Sequence, residues 1–180
     1  MECCNTMLEE ECMRVIFVTV GTHEQQFDRL IKYVDDLVKD GIIKDKVIMQ
    51  TGYSDYEPQY CEWQKLYPFT KMEELVEVAD IVITHGGPSS IILPLQKGKV
   101  PIVVPRQKKF AEHVNNHQFE FVEFIYEKQG NVIPVWEIEE LKEAILDYST
   151  IVENIPSEMK SNNEMFCKNL EAIVSEMLIE

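Results

Sequence analysis

Short runs of aliphatic and β-branched residues alternate with segments of helical spacing along most of the chain. The apolar runs predict strands at residues 14–20, 46–51, 80–84, 100–104 and 132–135, with a further short strand at residues 65–69. Between them, apolar positions at helical spacing predict helices at residues 27–38, 72–79, 89–97, 112–127 and 136–148. This alternation is typical of an α/β domain with a parallel sheet flanked by helices.

The two ends of the chain differ from this pattern. Residues 1–13 have no clean period and are predicted to be a flexible extension, whereas residues 14–180 are expected to form a single domain. Near the C-terminus, apolar side chains at helical spacing predict a helical tail: Met165, Leu170, Ile173, Val174 and Leu178. Such a stripe belongs to the core more often than to a partner interface, and the pattern leaves both open.

Composition excludes several functional classes. The 32 Asp and Glu residues outnumber the 17 Lys and Arg residues, and a net charge of −15 disfavours broad binding to nucleic acid or anionic lipid. No apolar run approaches the roughly 18 residues of a membrane span, and none resembles a signal peptide. The five cysteines are odd in number, which indicates reduced thiols and a cytoplasmic protein.

One stretch departs from the acidic composition. The 28 residues from Thr84 to Ala111 contain no carboxylate, although about five are expected at the chain-wide frequency. The same stretch carries five cations: Lys97, Lys99, Arg106, Lys108 and Lys109. A segment without acids and rich in cations is suited to binding an anion.

Glycine- and histidine-containing loops follow the predicted strands. In open parallel sheets, ligands bind beyond the carboxyl ends of the strands, and all four histidines lie in or just after such loops: His23, His85, His113 and His117. The segment HGGPSS leads from a strand into a helix, so Gly86, Gly87 and the donors of Ser89 and Ser90 suit a phosphate. The plainer alternative is a tight turn with Pro at the first helical position.

Two further loops carry candidate polar residues. The turn of Gly21, Thr22 and His23 can contact phosphate or place a base, and is equally well read as a plain turn. The segment EHVNNHQ offers hydrogen bonds to sugar hydroxyls from Glu112, His113, Asn116 and Gln118, or forms a solvated first helical turn. His113 and His117 are four apart, but the H-E-x-x-H glutamate and a third ligand are missing, so no metal is expected.

Three segments together carry a family resemblance: RVIFVTVGTHEQQFDRLIKYVD, VIMQTGYS and ADIVITHGGPSSIILPLQKGKVPIVVPRQKKFAEHVNNHQ. They resemble small bacterial exopolysaccharide and capsule glycosyltransferase subunits, which are similar to the C-terminal, donor-binding half of GT-B enzymes of glycosyltransferase family 28. The resemblance covers about residues 14–135. It implies a Rossmann-like domain that binds a UDP-sugar against an acceptor-binding domain on a second, membrane-anchored polypeptide, at the inner face of the plasma membrane.

The resemblance also implies roles for individual residues. HGGPSS would hold the diphosphate, the Asn116-His117-Gln118 segment the donor sugar, and residues near Arg106 would frame the nucleotide. An inverting transfer to a lipid-linked acceptor would use His23 as the base, or else a base on the partner subunit. Helix-start donors with Arg106 or Lys108 would steady the leaving diphosphate without a metal, and His85 would orient the loop or contact the diphosphate.

One position departs from the family pattern. Leu93 stands where many family members have a ribose-binding glutamate. The departure leaves open a non-catalytic regulatory or scaffold subunit. It also leaves open half of a nucleotide-sugar epimerase, which is disfavoured because that chemistry normally needs both domains in one chain.

Overall fold

A six-stranded, wholly parallel sheet forms the centre of the molecule. The structure, a computed structural model, describes residues 13–155. The strands are β1 (Val15–Thr19), β2 (Lys46–Gln50), β3 (Glu62–Gln64), β4 (Ile81–His85), β5 (Ile102–Val104) and β6 (Ile133–Pro134). Their spatial order is β3-β2-β1-β4-β5-β6.

Helices cover both faces of the sheet. They are α1 (Asp28–Lys39), α2 (Phe69–Val78), α3 (Pro88–Gln96), α4 (His117–Gln129), α5 (Glu140–Leu146) and α6 (Tyr148–Glu153). One short 3-10 turn (Lys108–Phe110) lies between β5 and α4. No helix between residues 13 and 155 is both long and apolar enough to cross a membrane.

The core has two sides because successive strand residues point to opposite faces of the sheet. Ile16 and Val18 of β1 are fully buried against the apolar stripe of α1 and against α5. Phe17, between them in sequence, packs on the other face against α2. Further along that face, α3 and α4 pack over β5 through Ile91, Val103 and Val122.

The strand order reverses between β1 and β4. The chain moves outward from β1 to β2 and β3, then returns to the other side of β1 with β4. The loops after β1 and β4 therefore diverge, and a crevice opens at the carboxyl ends of these strands. That crevice is where the predicted HGGPSS and Gly-Thr-His loops meet.

Most of the predicted elements are confirmed, and three predictions are wrong in detail. The strand expected at residues 65–69 lies at β3, three residues earlier. The helix expected at 112–127 begins only at His117, because Ala111 takes a left-handed conformation (φ 57°) and the chain turns there. The helix expected at 136–148 is interrupted at Asp147, where α5 ends and α6 begins. The predictions for residues 1–12 and for the C-terminal tail lie outside the described residues.

Candidate functional site

The crevice contains a cleft of about 580 Å³ between the loop after β1, helix α2 and the start of α3. One side of the cleft is polar and is formed by Thr22, His23, His85, Ser89, Ser90 and Gln118. The other side is apolar and is formed by Tyr67, Phe69, Met72, Val76, Val82 and Leu93. A larger groove of about 1270 Å³ lies beside β6, at the far edge of the sheet, but it contains none of the predicted site residues.

His85 is the buried centre of the polar side. Its Nδ1 accepts the backbone N–H of Gly87 at 3.0 Å, and its Nε2 lies 2.8 Å from Ser90 Oγ. Because Nδ1 is an acceptor, Nε2 carries the proton of the neutral ring and donates it to Ser90. Burial, followed by the nearby Arg106 cation, lowers the pKa of His85 to about 4, so the ring is neutral at pH 7.

Two glycines make room for this imidazole. A methyl group on Gly21 would overlap the His85 ring, and so would a methyl group on Gly87. Gly21 also has a φ of 74°, which favours glycine on conformational grounds. A methyl group on Gly86 would come within 3.0 Å of Gln118 and Val122 of α4. The glycines of HGGPSS thus pack the loop around His85 and bring the start of α3 to the cleft.

His23 is half-buried and faces the cleft from the loop after β1. Its Nδ1 accepts the backbone N–H of Gln25 at 3.2 Å, and its ring centroid lies 4.8 Å from that of His113. Burial, Arg106 and His113 lower its pKa below the ordinary 6.5, although Glu24 opposes them. The neutral ring therefore presents Nε2–H to the cleft. In this geometry His23 is placed to donate a hydrogen bond, and the role of general base that the resemblance implied stays a prediction.

Arg106 does not line the cleft. Its guanidinium is fully buried and donates hydrogen bonds to four backbone carbonyl groups, those of Val20, Gln25, Gln26 and Glu112, at 2.8–3.2 Å. A guanidinium held in this way cannot reach a bound diphosphate. The expectation that Arg106 contacts the nucleotide is therefore wrong for this structure.

The other four cations of the acid-free stretch also lie outside the cleft. Lys97 pairs with Glu77 at 3.1 Å, and Lys109 pairs with Glu137 at 3.2 Å. Lys99 donates to a backbone carbonyl group, and Lys108 is exposed and does not line the cleft. Within residues 13–155, the side chains that line the cleft include no Lys, Arg, Asp or Glu. Any anion bound there would be held by neutral donors and the α3 N-terminus.

The EHVNNHQ segment contributes one residue to the cleft. Gln118 lines it, and its Oε1 accepts the backbone N–H of Arg106 at 3.2 Å. Glu112 is fully buried in an ion pair with Arg29 at 2.8 Å, so its predicted role toward a sugar is wrong. Asn116 is exposed and accepts the backbone N–H of Lys108, while His117 is exposed beside Glu120. His113 precedes the helix and does not share a face with His117.

The apolar wall and one buried amide were not predicted from the sequence. Gln50, at the end of β2, donates to Thr19 Oγ1 and to the Gly21 carbonyl group, and accepts the backbone N–H of Tyr67. From the end of β2 it thus joins the loop after β1 to the loop after β3 at the cleft. A polar residue ending an otherwise apolar strand was the available signal. The position of Met72 and Val76 in the wall of the cleft could not be predicted from the sequence, because apolar residues of a short helix usually belong to the core.

Comparisons with known proteins agree with this architecture. The chain matches the glycosyltransferase family 28 C-terminal domain over residues 15–174. It is 33% identical over 129 residues to the human UDP-N-acetylglucosamine transferase subunit ALG13, an alignment that covers 67% of this chain and 11% of that protein. The chain thus spans about a tenth of that curated relative.

Solved glycosyltransferases share the fold. The glycotransferase of kitacinnamycin superposes with a TM-score of 0.57 and 18% identity, covering 82% of this chain and 37% of that one. MurG of Acinetobacter baumannii superposes with a TM-score of 0.55 and 17% identity, and the superposition covers 83% of this chain and 44% of MurG. The predicted Rossmann-like fold, equivalent to one half of such enzymes, is confirmed. The chain belongs to glycosyltransferase family 28, whose C-terminal domain it carries.

Proposed function

We propose that this chain is the donor-binding subunit of a two-component inverting glycosyltransferase and that its cleft holds a UDP-sugar. Membership of family 28 supports glycosyl transfer as the reaction class. The human relative is named as a subunit of a UDP-N-acetylglucosamine transferase. UDP-N-acetylglucosamine is therefore the first donor to test.

The two-sided lining of the cleft is the observation that carries this proposal. A nucleoside diphosphate has a planar base, whose faces pack well against apolar and aromatic side chains, and an anionic end. The apolar wall beside Tyr67, Phe69 and Leu93 suits the nucleoside, and the start of α3 suits the diphosphate. A volume of about 580 Å³ is within the range of small-molecule sites. The donors at the helix start require no metal, and we propose that none is used.

The reaction needs a base that this cleft does not supply. Transfer with inversion removes a proton from the acceptor hydroxyl while the diphosphate leaves. Among the described residues that line the cleft there is no carboxylate, and the Nδ1 atoms of His23 and His85 already accept backbone N–H groups. We therefore assign the base to an acceptor-binding partner subunit.

The wider setting follows from the resemblance. A membrane-anchored partner would present a lipid-linked acceptor at the cytoplasmic face of the membrane, where this chain would join it peripherally. The exopolysaccharide or capsule setting rests on the resemblance alone, and the human relative lends it no support.

Calorimetry with UDP and UDP-sugars tests the donor site directly. Leu93→Trp fills the cleft, whereas Ile92→Trp adds the same side chain to the exposed neighbouring position of α3, which does not line the cleft. We expect the first variant to lose UDP binding and the second to keep it, with or without a chelator. Absence of wild-type binding at millimolar UDP, alone and with the partner, would contradict the proposal.

The presence of Leu93 in the cleft favours a second candidate, a non-catalytic scaffold subunit. It takes the place of a ribose-binding acid and offers no hydrogen bond. In the reconstituted pair, replacement of His23 and Gln118 distinguishes the two. Reduced turnover supports donor binding, and unchanged turnover supports the scaffold.

A further inference from the structure

Arg106 connects the two loops that meet at the cleft. Three of its side-chain hydrogen bonds go to carbonyl groups of the loop after β1, those of Val20, Gln25 and Gln26. The fourth goes to Glu112 in the loop after β5. The guanidinium also lies 4.7 Å from the centre of the Phe27 ring, which packs against its face. One side chain thus fixes the path of the backbone on both sides of His23.

The backbone of Arg106 acts on the cleft as well. Its N–H group donates to Gln118 Oε1 and so holds the Gln118 side chain at the edge of the cleft. The same residue therefore orients Gln118 directly and His23 through its loop.

The charge of Arg106 is not neutralised by contact. The nearest carboxylate, Glu112, accepts both hydrogen bonds of the Arg29 fork at 2.8 and 3.0 Å and the backbone N–H of Gln107. The two cations, Arg29 and Arg106, share the single anion Glu112, so a net positive charge lies behind the cleft. Burial lowers the pKa of Arg106 to about 10, which keeps it protonated at neutral pH. Its cation lowers the pKa of both His23 and His85, so its field reaches the cleft.

We propose that Arg106 is the positioning residue of this site, holding His23 and Gln118 in place and providing from behind the positive field that the lining lacks. A cation in a low-dielectric interior acts over several ångströms with little screening. The bound diphosphate is attracted without touching the cation. This inference rests on the proposed donor site, and its test separates the two.

The experiment compares Arg106→Met, Arg106→Lys and Lys97→Met. Arg106→Met removes both the positive charge and the guanidinium donors, whereas Arg106→Lys keeps the charge and loses the guanidinium geometry. Lys97→Met is the control, because it removes a surface cation of the same acid-free stretch. The His23 imidazole is titrated by NMR without ligand, its signal assigned by loss in His23→Gln, and UDP affinity is measured by calorimetry. The other titratable groups that act on His23 are His113 and Glu24, and all variants retain them.

Arg106→Met is expected to raise the His23 pKa and to weaken UDP binding by about tenfold or more, since carbonyl groups lose their donors and the field is lost. Arg106→Lys is expected to leave the His23 pKa low and to weaken UDP binding several-fold, and Lys97→Met to change neither. An unchanged His23 titration in Arg106→Met overturns the inference even if UDP binds. Should that variant fail to fold, wild-type UDP affinity in Arg106→Lys overturns it. Failure of the wild-type chain to bind UDP overturns the donor site instead.

Discussion

The turns at the ends of β1 and β4 each contain a glycine and a histidine, but the two histidines have different environments. His85 is the last residue of β4 and His23 lies four residues after β1, and each histidine accepts at Nδ1 the backbone N–H two residues later. The His85 side chain is only 8% exposed and lies against Gly21 and Gly87. Its Nε2–H donates a hydrogen bond to Ser90 Oγ. His23 is half-buried, and its Nε2–H has no partner within the described residues. The first ring holds the loop together, and the second is available to a ligand.

The largest expected effect comes from filling the space around His85. Gly21→Ala combines a left-handed φ with overlap of the imidazole, whereas Gly41→Ala has a similar φ of 69° and open space. We expect Gly41→Ala to cost about 1 kcal/mol in free energy of unfolding and Gly21→Ala about 3 kcal/mol or more. Urea denaturation measures both. Equal costs would show that the His85 packing contributes nothing.

The pH dependence of stability comes next. The His85 pKa is about 4 in the folded chain against an ordinary 6.5, so the unfolded chain binds a proton between these values and the folded chain does not. Stability therefore falls as pH falls from 6.5 to 4, by about 3 kcal/mol in all. Between pH 7 and 5.5, which lies above the pI of about 4.7, part of this loss is measurable.

The His85→Gln variant isolates this contribution from that of the many carboxylates. Its loss of unfolding free energy between pH 7 and 5.5 is expected to be about 1 kcal/mol smaller than that of the wild type. The exposed His117→Gln variant is the matched control and should retain the wild-type slope. A steeper slope in His85→Gln would contradict the assignment of a neutral His85.

A smaller effect is expected at the partner of His85. Ser90→Ala removes the acceptor of Nε2–H and leaves a buried donor unpaired, which costs about 1–2 kcal/mol. Ser89→Ala, on the same helical turn but exposed, is expected to stay within about 0.5 kcal/mol of the wild type. If the two serine variants were equally stable, the proton on Nε2 would have to be assigned differently.

The smallest effect on stability is expected at His23. His23→Gln removes a weak contact from a half-buried side chain and should change the unfolding free energy by less than about 1 kcal/mol. If the turns differ as described, the same variant weakens UDP binding several-fold. Denaturation and calorimetry on one preparation give both numbers. A large loss of stability with intact binding would reverse the roles of the two histidines.

The sequence predicted the strands well because their apolar runs are local signals. β1 and β4 are buried on both faces, and their uninterrupted aliphatic residues could hardly form anything else. β3 was misplaced because Glu62, Trp63 and Gln64 form a short edge strand without an apolar run. HGGPSS was correctly expected to start a helix at Pro88, since both glycines and the proline act through local geometry.

The side-chain directions around the site could not be predicted, because they depend on distant residues. The cations of the acid-free stretch suggested an anion site, yet Arg106 is bound to carbonyl groups about 80 positions earlier in the chain. Glu112 was expected to be polar surface and is buried by Arg29, 83 positions away. Such pairs have no signature at short range, and they decide which residues of a polar loop face the ligand.

The uncharged lining of the cleft has a consequence for ionic strength. A site that binds phosphate through surface lysines loses affinity as salt is added. Here the anionic ligand approaches a chain with a net charge of −15, whereas the Arg106 cation behind the cleft is buried where mobile ions screen it poorly. Added salt therefore screens the long-range repulsion more than the local attraction. We expect donor capture to be faster at moderate than at low ionic strength, the reverse of the usual behaviour of phosphate sites.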